Sequence, residues 1–405
     1  MLDLSRGLEV LLTPITRRHF LKECWEQQPL HIERRQPGFY EGLFCSQEMD
    51  RLISYSEIAY PQIDAASKAK PDLAADFMRN TFTDTSGLVG QINTAYNLYA
   101  EGCTLIVNGV ERRSQAVRLM CRYLEAELSC PVAVNAYLTP AGSQGFKRHH
   151  DGHDVVVLQI EGSKHWEIYP PAFPLPYDTR TRDTAPPPPE AEKKVMDAEL
   201  HAGDLLYLPR GWRHAARATD SASLHLTVGL YVYRWSQLIK EVLSNVSAAD
   251  VRFRQALPPG FLREGAHLQP LAARLAELLS VLQSRADVAA AATAIARRLY
   301  LSIEPTSEGR TAEANALAQI TVDTLLEKTP GMICRVVQQE NSCALLLPGT
   351  EIHGPLKILP TLRFVSEQPG TFRGRQFPGL RDSEILLMLR RFVRTGLVRR
   401  APPSG

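Results

Sequence analysis

The chain has no apolar run approaching the roughly 20 residues that cross a bilayer, so no helical membrane anchor is expected. It has no surplus of charge either. Its 46 Lys and Arg face 44 Asp and Glu, a formal net charge of +2 over 405 residues. So small an excess predicts neither a nucleic-acid-coating protein nor a membrane-surface binder. Cysteine is sparse: the seven are odd in number, form no CxxC pair and show no regular spacing. That sets aside a disulfide framework and a cysteine-rich zinc module, and it fits a reducing, intracellular compartment. The opening residues, MLDLSRGLEVLLTPITRRHF, carry no long apolar stretch behind a basic start, so no secretory signal is expected. The expectation is a soluble protein of the cytoplasm, or of the nucleus or nucleolus in a eukaryote.

Length predicts two or three domains at roughly 100–200 residues each. Residues 1–130 mix helical patterns with short loops. Thr13 and Pro14 read as the cap and first position of a helix running to Glu26, with a short strand at Leu30–Glu33. Ser46 begins a second helix, and Val117, Met120, Cys121, Leu124 and Leu128 mark a third. From about Pro131 the apolar period falls to two. VAVNAYLT, DVVVLQIEG, KHWEIYP, DLLYLP and SLHLTVGLYVY are short, β-branched and aromatic, which predicts an antiparallel sandwich or barrel. The Pro186–Pro189 run interrupts them and reads as a surface excursion. After Trp235 three helices follow. The middle one carries Leu271, Leu275, Leu278, Leu279 and Leu282 as an apolar stripe, to be covered by the barrel or by a second copy of the chain. From about 306, a helix over ANALAQITVDTLLEK, short strands, and a closing helix capped by Ser383 suggest a winged-helix module.

The densest chemistry is RHHDGHD, residues 148–154. On an extended segment His149 and Asp151 share a face. His214, 65 residues further on (214 − 149) in GDLLYLPRGWRHAA, supplies a third candidate ligand. Two histidines and one carboxylate leave metal positions open, as in non-haem Fe(II) oxygenases. Blander readings stand beside this one. A lone His-x-Asp is more often a surface turn, and His214 alone reads as a satisfied histidine at a strand end. His149 and His153 at i,i+4 suit zinc on a helix, but Gly152 and Val155–Val157 argue for turn and strand. In the hairpin VVVLQIEGSKHWEIY, Lys164 shares a face with Trp166 and Ile168, while His165, Glu167 and Tyr169 share the other. A lysine directed inward is costly unless it meets an anion, such as a dicarboxylate cosubstrate. The alternative is a lysine snorkelling from the barrel mouth.

The stretch NAYLTPAGSQGFKRHHDGHDVVVLQIEGSKHWEIY, followed by GDLLYLPRGWRH, resembles the JmjC-type ribosomal oxygenases. Their pattern runs N-x-Y-L-T-P-x-x-S-Q-G-F, H-x-D, L-Q-x-E-G-x-K-x-W, then G-D-x-L-Y-x-P-R-G-x-x-H. The resemblance is strong over about 90–235 and weaker beyond. It implies an α+β chain: a double-stranded β-helix (jelly-roll, JmjC/cupin) barrel with N-terminal helices over 1–235, a helical dimerisation region over 236–305, and a winged-helix-like domain over 306–405. It implies Fe(II) held by His149, Asp151 and His214, with 2-oxoglutarate and O2 as cosubstrates. Lys164 would take the distal carboxylate, and Asn135, Tyr137 and Thr227 would line that pocket. The implied reaction is hydroxylation of a ribosomal-protein side chain, with histidine favoured over arginine because Lys164 matches the histidyl-hydroxylating branch. A homodimer is implied, and no membrane partner.

The sequence departs from the family's P-H-Y-D-D around the first ligand. Arg148, His150 and Gly152 replace Pro, Tyr and the second Asp, and His153 stands where an apolar residue is usual. These positions bear on which substrate is taken. N-methyl-lysine demethylation is the other JmjC chemistry, and a non-catalytic ribosome- or nucleic-acid-binding adaptor is a reading of a different class. The last 35 residues hold eight arginines against Asp382 and Glu384. Direct nucleic-acid binding is therefore open but not favoured, because a charge run is more often a solvated face.

Overall fold

The computed structural model describes residues 3–55, 60–69, 73, 88–177, 192–263, 268–305 and 308–402. The Pro186–Pro189 excursion lies outside them. The chain divides into two compact units, 1–232 and 233–405. Among the described residues no helix is long and apolar enough to cross a membrane.

The first unit is built on two antiparallel sheets. In chain order its strands are β1 (Leu30–Ile32), β2 (Ile63–Ala66), β3 (Thr104–Val107), β4 (Val132–Thr139), β5 (Asp154–Glu161), β6 (Ser163–Tyr169), β7 (Met196–His201), β8 (Leu205–Leu208), β9 (Arg213–Ala218) and β10 (Ser223–Leu230). The larger sheet has the order β1-β8-β5-β10-β4-β3-β2, and the smaller β7-β6-β9. Alternation decides what each strand face does. Val156, Leu158 and Ile160 of β5 join the core beneath the N-terminal helices, together with Leu224, Leu226 and Val228 of β10. Val155 and Val157 turn the other way and pack with Trp166 and Ile168 of the smaller sheet. A strand buried on both faces explains the near-continuous apolar run VVVLQI. Helix α1 (Gln115–Leu128) buries Val117, Met120, Cys121 and Leu124, as its period predicts.

The helix expected from Thr13 begins later. Thr16 is the cap, accepting from His19 N at 3.2 Å. The helix Arg17–His19 widens into a π turn over Phe20–Cys24, which Trp25 N closes onto Phe20 O at 2.9 Å.

The second unit contains α2 (Trp235–Ala249), α3 (Gln269–Arg285) and α4 (Val288–Ser302). It also holds two three-stranded sheets. One orders β11 (Leu325–Lys328) between β15 (Phe372–Arg373) and β16 (Val398–Arg400), and the other is β12 (Arg335–Gln338), β13 (Ser342–Leu347) and β14 (Thr350–Pro355). Ala296 of α4 packs on Val337 and Leu346, and Leu299 and Ile303 pack on Ile333. The last helices are α5 (Leu359–Glu367) and α6 (Asp382–Thr395).

Two local readings are corrected here. ANALAQITVDTLLEK is not one helix. Thr321 N bonds Thr324 Oγ1 at 2.8 Å to form a turn, and Leu325–Lys328 becomes a central strand with Leu326 fully buried. Strand pairing on both sides overrides the helical propensity of Leu, Glu and Lys. Ser383 lies inside α6. Its N-terminus is closed by Glu384, whose carboxylate accepts from Arg381 N at 2.9 Å.

Candidate metal centre

His149 and His214 are brought together by backbone pairing. His149 N donates to His214 O at 3.1 Å, and His214 N donates to His149 O at 2.8 Å. Gly211 N donates to Asp151 O at 2.9 Å, extending the pairing across the turn that precedes β9. One ligand atom from each of His149, Asp151 and His214 lies within 4.8 Å of the other two. The His214 Nε2 to Asp151 Oδ2 distance is 3.7 Å.

Both imidazoles are oriented through Nδ1. His149 Nδ1–H donates to Lys147 O at 2.9 Å, and His214 Nδ1–H donates to Trp212 O at 3.1 Å. A carbonyl can only accept, so each ring keeps Nε2 unprotonated and available, the arrangement usual for histidine metal ligands. His214 is buried, and burial together with the neighbouring His149 pulls it down to about 4, which keeps it neutral. The donor set therefore fits a divalent metal of borderline softness, with further positions left open.

The three residues line a cavity of about 240 Å³ walled by both sheets. Lys164, Asn135, Tyr137 and Thr227 line it as well, so every residue expected at the site borders one space. Lys164 is 4% exposed, and its Nζ donates to Thr139 Oγ1 at 2.8 Å. Thr139 in turn meets Thr104 Oγ1 at 3.0 Å. Among the described residues no carboxylate pairs with Lys164, and burial pushes it down to about 7. Asn135 Oδ1 accepts from Gly109 N at 3.1 Å. On the same strand as Lys164, Trp166 and Ile168 are buried, while His165 faces outward onto Asp197.

The sequence reading missed His225. It lines the cavity, stacks on Tyr137 (5.0 Å, 7°) and meets Trp166 edge to face (5.6 Å, 82°). Burial and the Lys164 cation hold it well below the ordinary imidazole range. Two buried nitrogens at this wall, His225 Nδ1 and Trp166 Nε1, find no partner among the described residues. The signal was present in the sequence: alternation along SLHLT puts His225 on the face of Thr227, opposite the leucines.

The unusual residues of RHHDGHD surround the approach. Arg148 lies over the Tyr169 ring at 4.1 Å and bonds Glu192 at 2.6 Å, and Glu192 also binds Arg213. His153 stacks on Tyr231 (4.7 Å, 17°). That stack exists because position 229 is glycine. A Cβ there would come within 2.9 Å of the His153 ring.

A JmjC domain model matches residues 108–238. Rat Ribosomal oxygenase 1 is 32% identical over 265 residues, covering 64% of this chain and 43% of that protein. The Drosophila persimilis protein named bifunctional lysine-specific demethylase and histidyl-hydroxylase NO66 is 30% identical over 283 residues, covering 66% of this chain and 40% of that protein. The chain thus spans less than half the length of these curated relatives. Among solved structures, Escherichia coli YcfD, a ribosomal oxygenase described in complex with cobalt and 2-oxoglutarate, aligns over 96% of this chain and 99% of its own. The TM-score is 0.53 at 17% identity, a likeness of fold. A second YcfD structure, with cobalt and succinic acid, gives 0.56. The β-sandwich with its His-Asp-His cluster is a JmjC/cupin fold, and over 108–238 the chain carries a JmjC domain similar to that of the ribosomal oxygenases.

Proposed function

We propose that the chain is an Fe(II)- and 2-oxoglutarate-dependent oxygenase that hydroxylates a ribosomal-protein side chain, histidine in preference to arginine. One observation carries this reading. A single cavity is walled by a two-histidine, one-carboxylate set and by a buried lysine that has no carboxylate partner among the described residues. His149, Asp151 and His214 would hold the iron. When bound, iron supplies dioxygen activation coupled to decarboxylation of 2-oxoglutarate. The balance is substrate C–H, 2-oxoglutarate and O2 giving substrate C–OH, succinate and CO2. Lys164 releases Thr139 to grip the distal carboxylate, which restores the ammonium charge that burial disfavours. Tyr137, Thr227 and the His225 Nδ1 and Trp166 Nε1 atoms, which find no partner among the described residues, offer further polar contacts. Val155 and Val157 keep the floor dry. A peptide substrate enters past His153, Tyr231 and Phe146, the last two nearly half exposed.

Histidine is favoured because position 164 is Lys and because the NO66 relative is named a histidyl-hydroxylase. The same name includes lysine demethylase, so demethylation is the second reading. The retained ligand set and Lys164 argue against an adaptor with a dead barrel. Mass spectrometry of ribosomal proteins incubated with the chain, Fe(II) and 2-oxoglutarate tests the assignment. A gain of one oxygen (about 16 Da) on a histidine supports it, whereas formaldehyde release from methyl-lysine peptides would favour demethylation.

The second unit supports two narrower proposals. No residue of α3 is buried, and Leu275 and Leu279 are more than half exposed. Trp235 and Ile239 of α2 are exposed too. These faces fit a homodimer interface. The two sheets with α5 and α6 suit a winged-helix-like module. Nucleic-acid binding is not favoured, because four of the eight C-terminal arginines are engaged in ion pairs. Arg375 pairs with Asp323, Arg381 with Glu384, Arg399 with Glu327 and Arg400 with Glu313.

A further inference from the structure

A largely buried ion network connects the N-terminal segment to both segments that carry the candidate metal ligands. Asp154, three residues past Asp151, is fully buried at the start of β5. Its Oδ2 accepts from Arg210 Nη1 at 2.8 Å, and its Oδ1 accepts from Arg210 N and Tyr207 Oη, each at 3.2 Å. Arg210, 5% exposed, stands four residues before His214 in the turn that also donates Gly211 N to Asp151 O. The guanidinium reaches on to Glu26, with Nη2 to Oε1 at 2.5 Å. Glu26 N donates to Tyr207 Oη at 3.0 Å, so Glu26 meets both residues that bind Asp154.

Glu26 is also backbone-strained. Its φ is +58°, a left-handed conformation that costs a residue with a Cβ and is normally left to glycine. A strained residue persists where its surroundings demand that side chain in that place. Here the demand is a second carboxylate for a buried arginine. The bond from Arg210 to Asp154 closes the gap between the segment carrying His149 and Asp151 and the turn carrying His214. The bond from Glu26 fixes the guanidinium in that bridge.

We propose that Glu26, Arg210 and Asp154 form a positioning relay that sets how tightly the His149, Asp151 and His214 set holds its metal. This rests on the metal reading of that set. None of the three touches the metal, and they act by holding the two ligand-bearing segments in register. Loss of such outer partners typically weakens metal affinity about 10–100-fold.

The test is a Co²⁺ titration of the full chain, followed by visible absorption and paired with thermal melts and circular dichroism. Glu26→Gly is the decisive variant, since it removes the carboxylate and relieves the strained φ. It should melt no lower than wild type yet bind Co²⁺ about tenfold more weakly. Glu26→Gln should weaken Co²⁺ binding as well but, keeping the strained φ, should melt below Glu26→Gly. Arg210→Lys, which keeps the charge and loses the fork, should bind more weakly still. Lys194→Met, which breaks an exposed ion pair with Glu167 and Asp197, should leave Co²⁺ binding unchanged. A Glu26→Gly chain with wild-type Co²⁺ affinity and spectrum overturns the relay. Wild type binding Co²⁺ no better than His214→Ala overturns the metal reading itself, and the relay with it.

Discussion

Lys164→Met should make the protein more stable and less able to bind a dicarboxylate. Lys164 is buried beside a hydroxyl, and burial lowers it from 10.5 to about 7. At about 1.4 kcal/mol per tenfold, that corresponds to about 5 kcal/mol against the folded state. The lost bond to Thr139 returns about 1 kcal/mol. Thr139 keeps Thr104 as a partner, so nothing buried is stranded. Methionine fills the volume of the lysine stem. The sign follows from proton binding. The unfolded chain holds the lysine proton up to about 10.5, and the folded chain releases it above about 7. Between these values the unfolded state binds more protons, so wild-type stability rises with pH. The penalty is full below pH 7 and fades above it. The variant's advantage should therefore be about 4 kcal/mol at pH 7, or about 8–16 °C in melting temperature for a unit of this size. It should shrink by about 1.4 kcal/mol for each pH unit above 7. Thermal melts of both chains at pH 7 and pH 9, without cosubstrate, measure this. A variant that melts at or below wild type at pH 7, or an offset that does not change by pH 9, refutes the reasoning.

Other consequences follow from the same geometry. Binding of 2-oxoglutarate should take up close to one proton at pH 8, because the carboxylate restores charge to Lys164. Calorimetry in two buffers of different ionisation enthalpy reads this directly, and affinity should fall as pH rises above 7. Gly162→Ala should destabilise the chain by about 2 kcal/mol or more. Its φ is +64°, and an added Cβ would lie 1.9 Å from Ala222 O, so the denaturation midpoint should drop. Glutamate at Leu275 and Leu279 together should convert a dimeric mass to a monomeric one by light scattering, with the wild-type melt kept. A monomeric wild type would remove the proposed interface.

The site was legible because most of its residues follow strand alternation or lie in the short extended segment that leads into β5. His149 and Asp151 share a face by alternation, and the same rule turned Lys164, Trp166 and Ile168 inward. What the rule could not reach was the partner strand. β9 reads RHAARA, with no alternating apolar pattern, and its place beside β6 comes from pairing Ile168 with His214 and Trp166 with Ala216. Thr139 as the resting partner of Lys164 is likewise a matter of tertiary placement, 25 residues away in sequence. His225 is legible by the same alternation, which sets it beside Thr227 on the cavity face of β10 although the strand's leucines make it resemble core. Outside the barrel, local propensity misled where pairing decided: Leu325–Lys328 has helical composition yet sits between β15 and β16. Glu26 carries no sequence signal for its left-handed backbone, because the requirement comes from Arg210, 184 residues further on (210 − 26).

The central claim is that His149, Asp151 and His214 hold iron for oxygenase chemistry on a ribosomal protein. The most direct measurement is mass spectrometry of ribosomal proteins incubated with Fe(II), 2-oxoglutarate and either wild type or His214→Ala, with succinate quantified in the same samples. The account predicts succinate and a histidine gaining about 16 Da, one oxygen, with wild type, and neither with the variant. Equal succinate from the two chains, or no oxidised ribosomal residue with wild type, would contradict it.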